Sequence, residues 1–76
     1  MRLDFTLPRR GIAGLTVYDL HGRQIARLFQ GESGAGGRVA VWHGRDDAGR
    51  RLGPGMYFAV VRMGSETAVE KVLRIR

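Results

Sequence analysis

The sequence of 76 residues contains no cysteine, and Lys71 is its only lysine. Without cysteine, neither a disulfide nor a thiolate metal site can supplement the hydrophobic core. No apolar run approaches the roughly 20 residues that a membrane-spanning helix needs, so we expect no membrane span. A chain this short forms one domain, residues 1–76, and buries only about 60% of the surface that its unfolded form exposes. Its stability therefore depends on apolar packing and on backbone hydrogen bonds.

The sequence also lacks a sustained helical repeat of apolar residues. Polar and apolar residues alternate over 2–7 instead, which predicts a half-buried strand that ends at Pro8. Further strands are predicted over 15–20, 24–29, 38–42, 56–63 and 67–75. About six strands at intervals of roughly ten residues are typical of an antiparallel β-sandwich or a small barrel.

The connections between these strands have distinct compositions. Asp19 to Gly22 is suited to a tight hairpin turn, because the aspartate can open the turn and the glycine can adopt a positive φ. The glycine-rich segment 31–37 predicts a mobile connection, and 44–55 a polar loop. Val39 and Val41 place apolar residues on the second face of strand 38–42, so we expect that strand to be central or covered.

Positive charge is in excess, with a formal net charge of +6 that is carried almost entirely by arginine. This balance is compatible with an acidic partner such as nucleic acid or an anionic lipid surface. The adjacent basic pairs, at 9–10 and 50–51, lie in turn-like segments, and the other arginines are scattered as on a solvated face. A nucleic-acid footprint requires a clustered stripe with stacking aromatics, so nucleic acid is not an expected partner. An anion-binding accessory module stays open as an alternative.

Asp46 and Asp47 are carboxylates beside a glycine in a loop, which is raw material for a calcium site. Two adjacent carboxylates without further oxygen ligands at regular spacing fall short of one. We expect Asp46 to accept hydrogen bonds from the backbone amides of its own turn instead. The sequence therefore predicts no metal and no cofactor.

Two histidines and two serines are the remaining candidates for catalysis: His21, His43, Ser33 and Ser65. Neither their order nor their spacing matches a nucleophile with an oriented base, and a sandwich of this size offers little room for a substrate pocket. The sequence thus predicts a protein that is not an enzyme.

The run from Trp42 to Tyr57 joins the only tryptophan to a long turn and then to a strand. We expect the indole to fill the core, because it can bury about 200 Å². The residues predicted to build the core and the turns here are Trp42, Gly44, Asp46, Gly49, Gly55 and Tyr57. Tyr57 and Phe58 should divide between the core and the opposite face.

The closing strand, 67–75, carries Lys71 on the same face as Leu73, which otherwise points inward. Its stem is expected to pack at the edge of the sandwich while the ammonium group reaches water or pairs with Glu66 or Asp19. Charges at 62, 70, 74 and 76 should discourage edge-to-edge pairing of sheets, so a monomer is expected.

Five short motifs together resemble a known type of domain. They are Phe5-Thr6-Leu7-Pro8, Val17-Tyr18-Asp19-Leu20 with Gly22-Arg23, Trp42-x-Gly44-x-Asp46-x-x-Gly49, Gly55-x-Tyr57-Phe58 and Lys71-Val72-Leu73. This pattern is similar to the C-terminal sorting domains of type IX secretion cargo and equally to the immunoglobulin-like domain of flagellar hook-capping proteins. The resemblance covers essentially the whole chain.

The resemblance implies an immunoglobulin-like β-sandwich of six or seven strands in a larger extracytoplasmic protein. In a sorting domain the closing strand would be recognised by secretion machinery, and the residues that carry this role here would be Lys71, Val72, Leu73, Arg74, Ile75 and Arg76. The location would then be the periplasm in transit and the outer membrane or cell surface. In a hook-cap domain the module would instead be a scaffold or spacer that contacts neighbouring domains of its parent.

Overall fold

The computed structural model describes all residues from 1 to 76 and contains strands and turns but no helix. There is accordingly no helix that could cross a membrane. The six strands are β1 (Arg2–Leu7), β2 (Gly11–Tyr18), β3 (Gln24–Ser33), β4 (Gly36–Val41), β5 (Gly55–Met63) and β6 (Glu66–Ile75).

The strands form two antiparallel sheets. One sheet has the order β1-β4 and the other the order β3-β2-β5-β6. Strands β2 and β3 are joined by the predicted hairpin turn, and β5 and β6 by a short turn at 64–65. The fold is therefore a small, sandwich-like all-β structure, as the sequence predicts, and it is consistent with an immunoglobulin-like sandwich.

A cluster of 12 buried apolar residues lies between the sheets. Alternate residues of β1 point into it, namely Leu3, Phe5 and Leu7, as the period-two pattern predicts. Phe5 stacks on Phe29 of β3 across the two sheets, with ring centroids 6.0 Å apart. Each fully buried aliphatic or aromatic side chain contributes about 1.5–3 kcal/mol, so this cluster is the main source of stability.

The glycine-rich segment is mostly strand, and the prediction of a connection over 31–37 was wrong. Strand β3 continues to Ser33 and β4 begins at Gly36, so only two residues lie between them. The end of β3 is supported by the first residues of β2, which pair as Gly11↔Ser33, Ile12↔Glu32 and Ala13↔Gly31. Backbone pairing holds these residues in a strand although their side chains carry no strand signal.

Strand β4 is neither central nor covered, contrary to the prediction. It pairs with β1 alone. Val39 and Val41 are 56% and 52% exposed, while the next residue, Trp42, is buried. Valine favours any extended backbone, so its presence on both faces of a strand does not require that both faces be covered.

The loop between β4 and β5 lies along the start of β3. The backbone N–H of Asp47 donates to the carbonyl of Ile25 at 3.2 Å. The backbone N–H of Arg27 donates to Asp47 Oδ1 at 3.1 Å. Asp47 thus occupies hydrogen-bonding groups that β3 would otherwise present at the edge of its sheet, a common protection against unwanted strand pairing.

Candidate recognition surface

Two turns of the same sequence, Asp-x-x-Gly-Arg, lie beside each other at one end of the sandwich: Asp19–Arg23 and Asp46–Arg50. In each turn, Oδ1 of the aspartate accepts hydrogen bonds from the backbone N–H groups two and four residues later. These distances are 2.8 and 3.0 Å in the first turn and 3.0 and 2.8 Å in the second. The arginine Nε donates to Oδ2 at 3.0 and 3.1 Å. The two turns therefore have nearly the same hydrogen-bonding geometry.

The glycine of each turn has a positive φ, 79° at Gly22 and 82° at Gly49. Its N–H donates to the carbonyl of the aspartate, at 3.1 and 2.9 Å respectively. Only a residue without Cβ adopts this conformation without strain. The shared pattern Asp-x-x-Gly-Arg is the sequence signal of this repeat, and alignment of the two segments with each other would have predicted it.

These hydrogen bonds stabilise the charged form of both carboxylates. The pKa of Asp19 is lowered chiefly by the backbone N–H of Arg23, and the pKa of Asp46 chiefly by the backbone N–H of Arg50. The guanidinium group of the same arginine lowers each pKa further. Asp46 therefore has the role in its own turn that the sequence predicts. No group of three or more potential metal-ligating side chains occurs in the structure.

Trp42 directly follows β4 at the start of the loop between β4 and β5, here called the Trp42 loop, and is 2% exposed. Its Nε1–H donates to the carbonyl of Arg45 at 3.0 Å. The ring of Tyr57 meets the indole edge-on, with centroids 5.4 Å apart and planes at 66°. The Tyr57 hydroxyl in turn donates to the carbonyl of Gly53 at 2.8 Å. Trp42 and Tyr57 therefore tie the loop to the core from both sides.

The two other glycines predicted from this run both adjoin the end of β6. Gly44 has a φ of 72°, and a Cβ placed there would lie 3.5 Å from Cδ1 of Ile75. Gly55 begins β5 with a φ of 152° and pairs directly with Ile75. The two ends of the β4–β5 loop thus adjoin the last residues of β6.

The six predicted recognition residues divide between the core and the surface. Leu73 is 5% exposed and belongs to the core cluster, and Ile75 packs against that cluster. Lys71, Val72, Arg74 and Arg76 are exposed. Leu73 therefore anchors the strand, and its neighbours Val72 and Arg74 expose their side chains to solvent.

Lys71 reaches solvent and makes neither of the ion pairs considered for it. Glu66 pairs with Arg9 at 2.9 Å, and Asp19 pairs with Arg23 at 3.0 Å. Both carboxylates are thereby occupied by arginines closer to them. The ammonium group is left free at the edge of the sandwich.

Five basic side chains make neither a hydrogen bond nor an ion pair, and three of them lie at the end of the chain, in β6 and just beyond it. Most basic side chains donate to a carboxylate, a hydroxyl or a carbonyl. The side chains that make no such bond are those of Arg27, Arg51, Lys71, Arg74 and Arg76. Three of these lie in the last six residues, so this segment holds most of the basic side chains that have neither a hydrogen bond nor an ion pair within the domain.

The candidate catalytic side chains are not assembled into a site. Ser33 Oγ accepts a hydrogen bond from Arg38 Nε at 3.0 Å and donates to the carbonyl of Gly34. No hydrogen bond joins either serine to either histidine. His21 lies in the first Asp-x-x-Gly-Arg turn, and Ser65 lies in the turn between β5 and β6.

Searches against protein-family models, curated proteins and solved structures give no match to this chain.

Proposed function

We propose that the domain is a non-enzymatic sorting or attachment module whose closing strand is read by bacterial outer-membrane secretion machinery of the type IX class. The observation that carries this proposal is the group of three exposed basic side chains, Lys71 and Arg74 of β6 and Arg76 just beyond it, that have no hydrogen bond or ion pair within the domain. In this role the domain passes through the periplasm and acts at the outer membrane or the cell surface.

The arrangement of β6 suits recognition of a strand by a partner. Leu73 and Ile75 fix one face of the strand against the core and the Trp42 loop. Val72 and Arg74 are exposed on the other face, and Lys71 is exposed on the same face as Leu73. A rigid strand lowers the entropic cost of binding, since a partner does not need to order it first. Backbone groups at the edge provide affinity, and the side chains provide specificity.

Export of a reporter fusion tests this proposal. We expect the domain, fused to the C-terminus of a secreted reporter in a host with this machinery, to direct the reporter to the cell surface. A K71A/R74A/R76A variant should reduce export to the level of the reporter alone. These side chains are exposed, so the variant should fold, whereas deletion of 71–76 would also remove the core residue Leu73.

The matched control is R10A/R27A/R51A, which removes the same charge from exposed positions outside β6. It should leave export unchanged. Equal export by both triple variants would contradict recognition of β6. Unprocessed protein held in a stable assembly would favour the scaffold role of hook-cap domains. An equal loss of export in both variants would favour general anion binding, whose affinity should fall steeply as the salt concentration rises.

A further inference from the structure

Strand β6 is an edge of the larger sheet, and no other strand or loop is hydrogen-bonded along it, although β1 of the other sheet lies nearby. At the opposite edge, Asp47 bonds to Ile25 and Arg27 of β3. Strand β6 pairs with β5 only, so its outward N–H and C=O groups have no partner in the domain. The one register shift between β5 and β6 lies before Val69, and from there to Ile75 the strand is regular. An uncovered regular edge of this length is a template for another strand.

Glu70 is the one carboxylate of the chain without a partner. Every other aspartate or glutamate accepts a hydrogen bond or forms an ion pair with an arginine. Glu70 lies on the outer face of β6, followed at the same parity by Val72 and Arg74. Val72 is 60% exposed, and Arg74 is also without a partner. Along the outer face of β6, a negative side chain (Glu70), an apolar one (Val72) and a positive one (Arg74) therefore follow each other.

We propose that a second copy of this chain pairs with β6 in antiparallel orientation, with the two-fold axis at Val72. In this register Glu70 of each copy lies opposite Arg74 of the other, and the two Val72 side chains meet. On the inner face Val69 lies opposite Ile75. Opposite charges and apolar pairs that face each other directly are the stabilising contacts of antiparallel sheets.

Neighbouring registers are less favourable. If each residue pairs one position further along the second copy, inner-face residues of one copy lie opposite outer-face residues of the other. An axis at Lys71 places the two lysines opposite each other. An axis at Leu73 pairs Glu70 with Arg76, which lies beyond the end of the strand, and leaves Arg74 opposite Val72. Glu70 and Arg74 therefore disfavour the other registers of this edge, but they form opposite-charge pairs when the axis lies at Val72.

The outer face of the sheet supports the same register. Tyr18 is paired with Phe58, and Phe58 with Val72, so these residues form a row across β2, β5 and β6. Pairing at Val72 joins this row to its symmetry copy in a continuous eight-stranded sheet. The association is isologous and closed, so it stops at a dimer.

Charge reversal tests the register in the purified 76-residue chain. Sedimentation velocity from micromolar to millimolar concentration should show a reversible dimer of the unmodified protein. E70R and R74E should each weaken dimerisation by about tenfold or more, because two attractive cross-strand pairs become repulsive. An equimolar mixture of E70R and R74E should form a heterodimer, and the double variant E70R/R74E should recover the homodimer.

Concentration-dependent amide shifts of the unmodified protein give a second readout that needs no variant. They should be confined to residues 69–75 and their neighbours on β5. A protein that stays monomeric to millimolar concentration, shifts centred on β4, or a mixture that does not recover the dimer would overturn the proposal. None of these measurements involves export, so their failure is separate from failure of the proposed function.

Discussion

Replacement of Trp42 by phenylalanine tests how the loop between β4 and β5 is held to the core. The indole is buried, donates one hydrogen bond to the carbonyl of Arg45 and meets Tyr57 edge-on. Phenylalanine keeps an aromatic ring in contact with Tyr57 but removes the donor and the second ring. The variant therefore separates the hydrogen bond and the extra area from the aromatic contact.

The expected loss of stability comes from the missing hydrogen bond and from the smaller buried area. The missing hydrogen bond costs about 1 kcal/mol. Phenylalanine buries roughly 50 Å² less than tryptophan, which at about 25 cal/mol per Å² is a further loss of about 1.3 kcal/mol. The free energy of unfolding should fall by about 2 kcal/mol, which for a domain of this size corresponds to a Tm lower by about 10 °C. Trp42→Ala should cost about 3–5 kcal/mol and leave little folded protein.

Urea denaturation followed by circular dichroism gives the free energy of unfolding for each variant. The matched control is Val41→Thr, which changes the preceding residue, on the exposed face of β4, by an almost isosteric side chain. It should alter stability by less than about 0.5 kcal/mol. A similarly small change for Trp42→Phe would refute the reasoning, because it would mean that neither the Arg45 hydrogen bond nor the extra ring stabilises the fold.

The two Asp-x-x-Gly-Arg turns give two further predictions. The pKa values of Asp19 and Asp46 are lowered in the folded state, so their contribution to stability is present above the unfolded-state value of about 3.9 and is lost as the pH falls through the folded-state values. Urea midpoints measured from neutral to acidic pH should therefore fall less for D19N/D46N than for the unmodified protein, and parallel curves would contradict this. Gly22→Ala and Gly49→Ala should each cost about 1 kcal/mol or more, because both require a positive φ. Gly53→Ala, in open space and without a positive φ, should cost less than either, and equal Tm losses at all three would show that backbone strain is not the cause.

Side-chain patterns were sufficient to predict the elements that follow simple rules. Strand β1 was predicted with its observed bounds, because three large apolar residues alternate with polar ones and Pro8 ends the run. The hairpin at 19–22 was predicted because aspartate and glycine occupy the positions that such a turn requires. The burial of Trp42 was also predicted, because the core is the usual position of the one tryptophan in so small a domain.

The errors come from residues whose structure is decided by distant partners. Residues 31–33 are held in β3 by pairing with the start of β2, which no local pattern reveals. The exposure of Val39 and Val41 follows from the position of β4 in a two-stranded sheet. For Lys71 the sequence left two outcomes open, water or an ion pair, and the ammonium group reaches water because Arg9 occupies Glu66, a contact between distant parts of the sequence.

The single indole of this chain also provides an intrinsic optical probe. Trp42 is shielded from water, so its fluorescence emission should lie at short wavelength in the native protein and shift to longer wavelength on unfolding. Tyr57, 5.4 Å away, is a donor for energy transfer to it. Ile75 and Arg76 line the same depression as the indole. Unlabelled protein can therefore report, by its emission alone, whether the end of β6 stays docked when a partner engages it.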